Sequence, residues 1–86
     1  MYQIVISRIA EKQIESFPKQ VANAITAEID TLATNPHPPG SIKLEDSEKE
    51  YRIRSGDYRI IYRIENARLV IEVIRIGHRR DVYKKR

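Results

Sequence analysis

The chain has 86 residues, 41% hydrophobic and 33% charged, a balance that fits one globular domain over residues 1–86 and excludes a disordered polyelectrolyte. Cysteine is absent, which excludes disulfide staples and thiolate metal sites. The net charge of +4 is unevenly spread: residues 51–86 hold eleven of the sixteen basic side chains against four acids, and residues 1–50 hold five bases against eight acids.

Tyr2 to Ser7 is a short β-branched run and reads as a strand. Ser7 stands where a helix N-cap belongs, with Glu11 near the positive end of the helix that follows. Ile9, Ile14 and Phe17 give this helix an apolar side, and Pro18 punctuates the chain before a second helix. The second helix has the cleaner period, through Val21, Ile25, Ile29 and Leu32. Asn35 to Ser41, with three prolines and a glycine, is a loop.

Beyond the loop the period changes to two. Ile42 and Leu44 form a short strand, and 45–50 is an acidic turn. Tyr51 and Ile53 share one face of the next strand, Arg52 and Arg54 the other. Ser55-Gly56-Asp57 is a tight hairpin connection. Tyr58, Ile60, Tyr62 and Ile64 then share one face, opposite Arg59, Ile61, Arg63 and Glu65. After a turn at 65–67, Leu69 to Ile76 is an apolar strand, which Gly77 ends, and a basic tail runs from His78 to Arg86. The expected fold is α+β: a β-α-α-β-β-β antiparallel sheet with an N-terminal helical hairpin on one face and a basic C-terminal tail or short helix.

Alternating arginines suit a polyphosphate, because guanidinium is always charged and grips phosphate through two donors. RNA is the first partner to consider. No apolar run reaches the roughly 20 residues that cross a bilayer, and no basic-then-apolar signal opens the chain, so a cytoplasmic protein without a membrane partner is expected. His37, in the proline-rich loop, has no carboxylate at ligand spacing. Neither a metal nor a cofactor is expected.

The run Glu50-Tyr-Arg-Ile-Arg-Ser-Gly-Asp-Tyr-Arg-Ile-Ile-Tyr62, with Val73-Ile-Arg-Ile-Gly-His-Arg-Arg-Asp-Val-Tyr83, resembles the RelE branch of the RelE/ParE toxin superfamily. The resemblance covers essentially the whole chain. It implies the toxin of a toxin–antitoxin pair, neutralised by a cognate antitoxin that alone contacts operator DNA. It also implies entry into the 30S ribosomal A site and metal-free cleavage of mRNA there. In that reaction a 2′-hydroxyl attacks the adjacent phosphate, leaving a 2′,3′-cyclic phosphate and a 5′-hydroxyl. Catalytic positions carry over onto Arg52, Arg54, Arg59, Arg79 and Tyr83. Well-known members have lysines at the first two.

In-line attack needs a base, an acid and positive charge for the phosphorane. Arginine supplies the charge but is a poor proton carrier. Tyr83, His78 and ribosomal groups stay open as the base; family support favours Tyr83, and intrinsic pKa favours His78. Arg63, Arg75, Arg80, Lys84 and Lys85 are candidate auxiliary RNA contacts. The plainer alternatives are a frayed, solvated tail, a polar turn for His78, and structural roles for Arg63 and Arg75. Tyr51, Tyr58 and Tyr62 read as core. The competing functions are a ParE-like, non-enzymatic poison of DNA gyrase and a catalytically weak ribosome- or RNA-binding module.

Overall fold

The computed structural model describes residues 1–45 and 47–78. Arg79, Arg80, Tyr83, Lys84 and Lys85, and with them the expected tail or short helix, lie outside the described residues.

The elements follow in the order β1 (Gln3–Ile6), α1 (Arg8–Ser16), α2 (Lys19–Thr31), β2 (Ile42–Lys43), β3 (Glu50–Ser55), β4 (Tyr58–Glu65) and β5 (Val70–His78). Ser7 caps α1 as expected: its hydroxyl accepts the Ala10 N–H at 3.0 Å, satisfying one of the first-turn donors. Pro18 precedes α2, where its missing N–H costs no helical bond. In α2 the 3.6-residue period buries Ile25 and Ile29, continued by Leu32 at the C-cap. Ile9, expected on the apolar side of α1, is instead 63% exposed, and Ala10 takes the buried position.

The five strands order as β1-β5-β4-β3-β2. β2 to β5 form the expected antiparallel meander, but β1 pairs parallel to β5, from Gln3 opposite Val70 to Ile6 opposite Val73. The sheet is therefore mixed, a correction to the wholly antiparallel expectation. Successive hairpins fix the direction of β5, while β1 must end where α1 begins so that the helix can return across the sheet face. β5 also runs through Gly77 to His78 rather than stopping at the glycine. The β3–β4 hairpin closes through Gly56 and Asp57, with Ser55 opposite Tyr58. Gly56 has φ +61 and Asp57 does not have positive φ, the pattern of a type II′ loop.

The core lies between the helices and one sheet face: Ile25, Ile29 and Leu32 meet Ile53, Ile60, Tyr62, Ile64, Ile71, Val73 and Ile76. Burying each such side chain stabilises the fold by roughly 1.5–3 kcal/mol. Tyr51 stacks on Tyr62 with ring centroids 5.9 Å apart, and His37 meets Tyr51 edge-on at 5.0 Å. The Tyr62 hydroxyl donates to the Pro36 carbonyl at 2.8 Å, which fastens the proline-rich loop to the sheet.

Burial pushes the Tyr62 phenol up to about 12, against a smaller opposing influence of the Ser41 side chain. The neutral phenol is thus favoured in the fold. This contribution is fully present below pH 10, where both states are protonated, and fades as pH rises, because the unfolded chain ionises first. The loss by pH 12 should be roughly 2–3 kcal/mol. Urea titrations between pH 9 and pH 12, at values set by these two ionisations, should show this slope in the native chain and not in Tyr62→Phe.

Candidate nucleic-acid interface on the open sheet face

Strand alternation sends one set of residues inward toward α1 and α2 and a second set to the opposite face, which carries no helix among the described residues. Pairing register arranges the second set in rows across β3, β4 and β5. One row is Arg54, Arg59 and Gly77; the next is Arg52, Ile61 and Arg75; the third is Glu50, Arg63 and Glu72.

The first two rows put four guanidinium side chains on adjoining positions. Arg54 stands directly opposite Arg59, and Arg52 and Arg75 flank Ile61 from either side. Like charges directly opposite tend to destabilise a sheet. Gly77 contributes no side chain beside Arg59. Ile61 is only 3% exposed although it stands apart from the helix-side core cluster, and the residues in register beside it are Arg52 and Arg75. Its burial fits arginine stems lying over apolar surface with their charged ends outward. Arg52 and Arg59 are partly buried, whereas Arg54 and Arg75 are exposed. The Nε of Arg52 and the Nε and Nη1 of Arg59 are shielded from solvent.

The third row has a different character. Arg63 donates to Glu50 at 3.2 Å and lies 3.9 Å from Glu65, while Lys49 reaches Glu65 at 3.5 Å. Carboxylates on both neighbouring strands surround Arg63, so its charge is largely compensated. Of the two arginines read as structural or auxiliary contacts, Arg75 joins the rows of Arg52, Arg54 and Arg59, and Arg63 does not.

His78 is brought elsewhere. It pairs with Tyr58 across β4 and β5 and meets that ring edge-on at 5.7 Å, while Tyr58 packs against Phe17 at 4.9 Å. This places His78 on the helix side, away from the arginine rows. The reason is parity: Gly77 and His78 alternate, and Gly77 takes the open face. Among the described residues, no group of three or more His, Cys, Asp or Glu side chains could hold a metal ion.

Sequence reasoning found the arginines but passed over three contributors to their arrangement. Ile61 forms the apolar floor. Ser7 and Gln13, on the far side of the sheet, bond the backbone of β5: the Ser7 hydroxyl donates to the Ile74 carbonyl at 2.6 Å, and the Ile76 N–H donates to Gln13 Oε1 at 2.6 Å. The adjacent apolar pair Val73-Ile74, which breaks strict alternation, was the signal for an irregular strand there.

Comparison with known proteins adds to this geometry. The family model for the ParE toxin of type II toxin–antitoxin systems, parDE, matches residues 4–83. The chain is 30% identical to Toxin RelE of Mycobacterium tuberculosis over 84 residues, 96% of this chain and 87% of that protein. It is 29% identical to a putative RelE-like toxin protein of Escherichia coli over 86 residues, 95% of this chain and 90% of that protein. In structure it is similar to the archaeal RelE–RelB complex of Pyrococcus horikoshii OT3, with TM-score 0.81, 31% identity, and coverage of 91% of this chain and 94% of that chain. The isolated E. coli RelE toxin gives TM-score 0.79 at 21% identity, covering 91% of this chain and 84% of that one, a likeness of fold.

Proposed function

The chain belongs to the ParE toxin family of type II toxin–antitoxin systems, has the RelE-like fold and is the toxin of such a pair, and from that premise we propose that it is a ribosome-dependent endoribonuclease. It takes the backbone of mRNA on the open sheet face in the 30S A site and stops translation by cutting the message. The observation that carries this reading is the opposed pair Arg54 and Arg59 beside Arg52 and Arg75 around Ile61. A phosphate beside such strands can accept from guanidinium groups on both of them at once.

In the proposed step the 2′-oxygen forms a bond to phosphorus as the bond from phosphorus to the 5′-oxygen breaks. The 2′-proton passes to a base, and an acid protonates the departing 5′-oxygen. Arg52, Arg54 and Arg59 hold the phosphate and stabilise the charge of the phosphorane, with Arg75 as an added contact. By the family resemblance Arg79 adds transition-state charge, and Arg80, Lys84 and Lys85 are auxiliary RNA contacts. The two arginines at positions where well-known members have lysine carry charge without carrying protons. Proton transfer falls to Tyr83 or to ribosomal groups, since His78 stands on the helix side. No metal enters this chemistry.

The cognate antitoxin is the neutralising partner, a reading supported by solved relatives described as RelE–RelB complexes. A chain whose residues 51–86 are this basic suits an acidic-amphipathic segment. Operator DNA is met only through that antitoxin, and the compartment is the cytoplasm. Cleavage by purified toxin should disappear when the antitoxin is saturating. Full activity in the saturated complex would overturn inhibition by occlusion.

The test is primer extension on mRNA from translating ribosomes treated with purified protein. Discrete 3′ ends that vanish with Arg59→Ala and weaken with Tyr83→Phe support the nuclease. The ParE description of the matching family sustains a second reading, poisoning of DNA gyrase. Gyrase-linked DNA breaks with intact message would establish it instead.

A further inference from the structure

β5 changes phase partway along its length. Ile71 and Val73 face the core opposite Ile64 and Tyr62, yet beyond them Ile76 and His78 are the inward residues, opposite Ile60 and Tyr58. Strict alternation from Val73 would turn Arg75 and Gly77 inward and send Ile76 out. The register shift between Ile61 and Tyr62 prevents this: Ile61 pairs with Arg75 and Tyr62 with Val73, so Ile74 is the extra residue of a bulge. A one-residue change of register moves every later side chain to the other face. The bulge is therefore what puts Arg75 in the row of Ile61 and Arg52, and Gly77 beside Arg59.

A bulge also disturbs the backbone ladder, and here α1 provides the missing partners. β1 ends at Ile6, its last pair being with Val73, so among the described residues the edge of β5 beyond that point has no strand beside it. Ser7 N–H donates to the Val73 carbonyl at 2.9 Å, the Ser7 hydroxyl donates to the Ile74 carbonyl, and Gln13 Oε1 accepts the Ile76 N–H. Ile76 is 1% exposed, so its N–H has little recourse to water if Gln13 is lost. We propose that Ser7 and Gln13 are positioning residues for the arginine face, holding the Ile74 bulge so that Arg75 stands on the RNA side of the sheet. This rests on the RNA-binding reading of that face. It extends it by assigning a specificity of placement to two side chains on the opposite side.

Two measurements test the proposal. In the first, binding of a short unstructured RNA oligonucleotide is followed against salt for the native chain, Gln13→Leu, Gln13→Glu, Arg75→Ala and the Gln13→Leu/Arg75→Ala double variant. Gln13→Leu should weaken binding about tenfold, as loss of one charge-assisted contact does, and reduce the salt slope by about 0.7. The double variant should be no weaker than Arg75→Ala, and Gln13→Glu, which keeps an acceptor, should restore binding. A lowered melting temperature with an unchanged slope, or losses that add, would show a structural role only and overturn the proposal.

The second measurement needs no RNA and uses the absence of native cysteine. Ile61→Cys with Arg75→Cys sits at directly opposed positions, about 5 Å apart between Cα atoms, within reach of a disulfide. Mild oxidation should close this bridge in the native background and fail to close it when Gln13→Leu is added. Should that variant not fold, Ser7→Ala, which frees only the Ile74 carbonyl and the cap, replaces it. Equal bridging in both backgrounds would sink the positioning role. If instead Arg54→Ala and Arg59→Ala leave RNA binding intact, the RNA reading fails while the bridge still decides the geometry.

Discussion

Arg54→Ala should lose on the order of 10²–10³-fold in the rate of mRNA cleavage while leaving the protein folded and no less stable. The two halves of this expectation come from one fact. Arg54 is exposed and directly opposed to Arg59, so removing it takes away a proposed phosphate donor and also a like charge facing Arg59. Removal of that charge should raise stability by up to roughly 1 kcal/mol. Arg54→Lys keeps the charge without the planar fork and should fall between the native chain and alanine. Single-turnover cleavage on programmed ribosomes, beside thermal melts of the same preparations, gives both numbers. Loss of activity with an equal loss of stability would mean that Arg54 holds the sheet together, and the functional assignment would fail.

Ile60→Ala should produce the largest loss of stability. Ile60 is fully buried in central β4, opposite Ile53 on one side and Ile76 on the other, beneath the two helices. Truncation there should cost about 2–5 kcal/mol, since strands tied on both edges cannot collapse into the space. For a domain of this size that is a drop of roughly 10–30 °C in melting temperature. The exposed Ile42, on short edge strand β2, is the contrasting case. Ile42→Ala should change stability by no more than about 0.5 kcal/mol. Calorimetry on the two variants separates a core that depends on α2 and β4 from one spread evenly over the chain.

The helical hairpin, the meander and the arginine side of β3 and β4 were legible because their periods are clean. Val21, Ile25, Ile29 and Leu32 declare one helix face, and Arg52, Arg54 and Arg59 fall opposite the apolar positions of their strands. The direction of β1 was not legible: alternation reports which side a residue faces, not whether the neighbouring strand runs with it or against it. Gly77 read as a stop, since glycine weakens a strand, yet in the sheet it occupies the open position beside Arg59. His78 was drawn into the candidate site by proximity in sequence, and the phase of β5 turned it to Tyr58. That phase depends on a bulge whose partners, Ser7 and Gln13, lie more than sixty residues away in sequence. Tertiary bonds of this kind leave no local pattern to read.

The account stands on Arg52, Arg54, Arg59 and Arg75 acting as one phosphate-binding surface. The most direct measurement is an NMR titration of the arginine Nε–Hε signals with a short single-stranded RNA. The account predicts that these four signals move together and saturate at one concentration, while Arg63, held by Glu50, and Arg8 and Arg68, placed elsewhere, stay still. Shifts confined to Arg8 or Arg68, or spread evenly over every arginine, would contradict it.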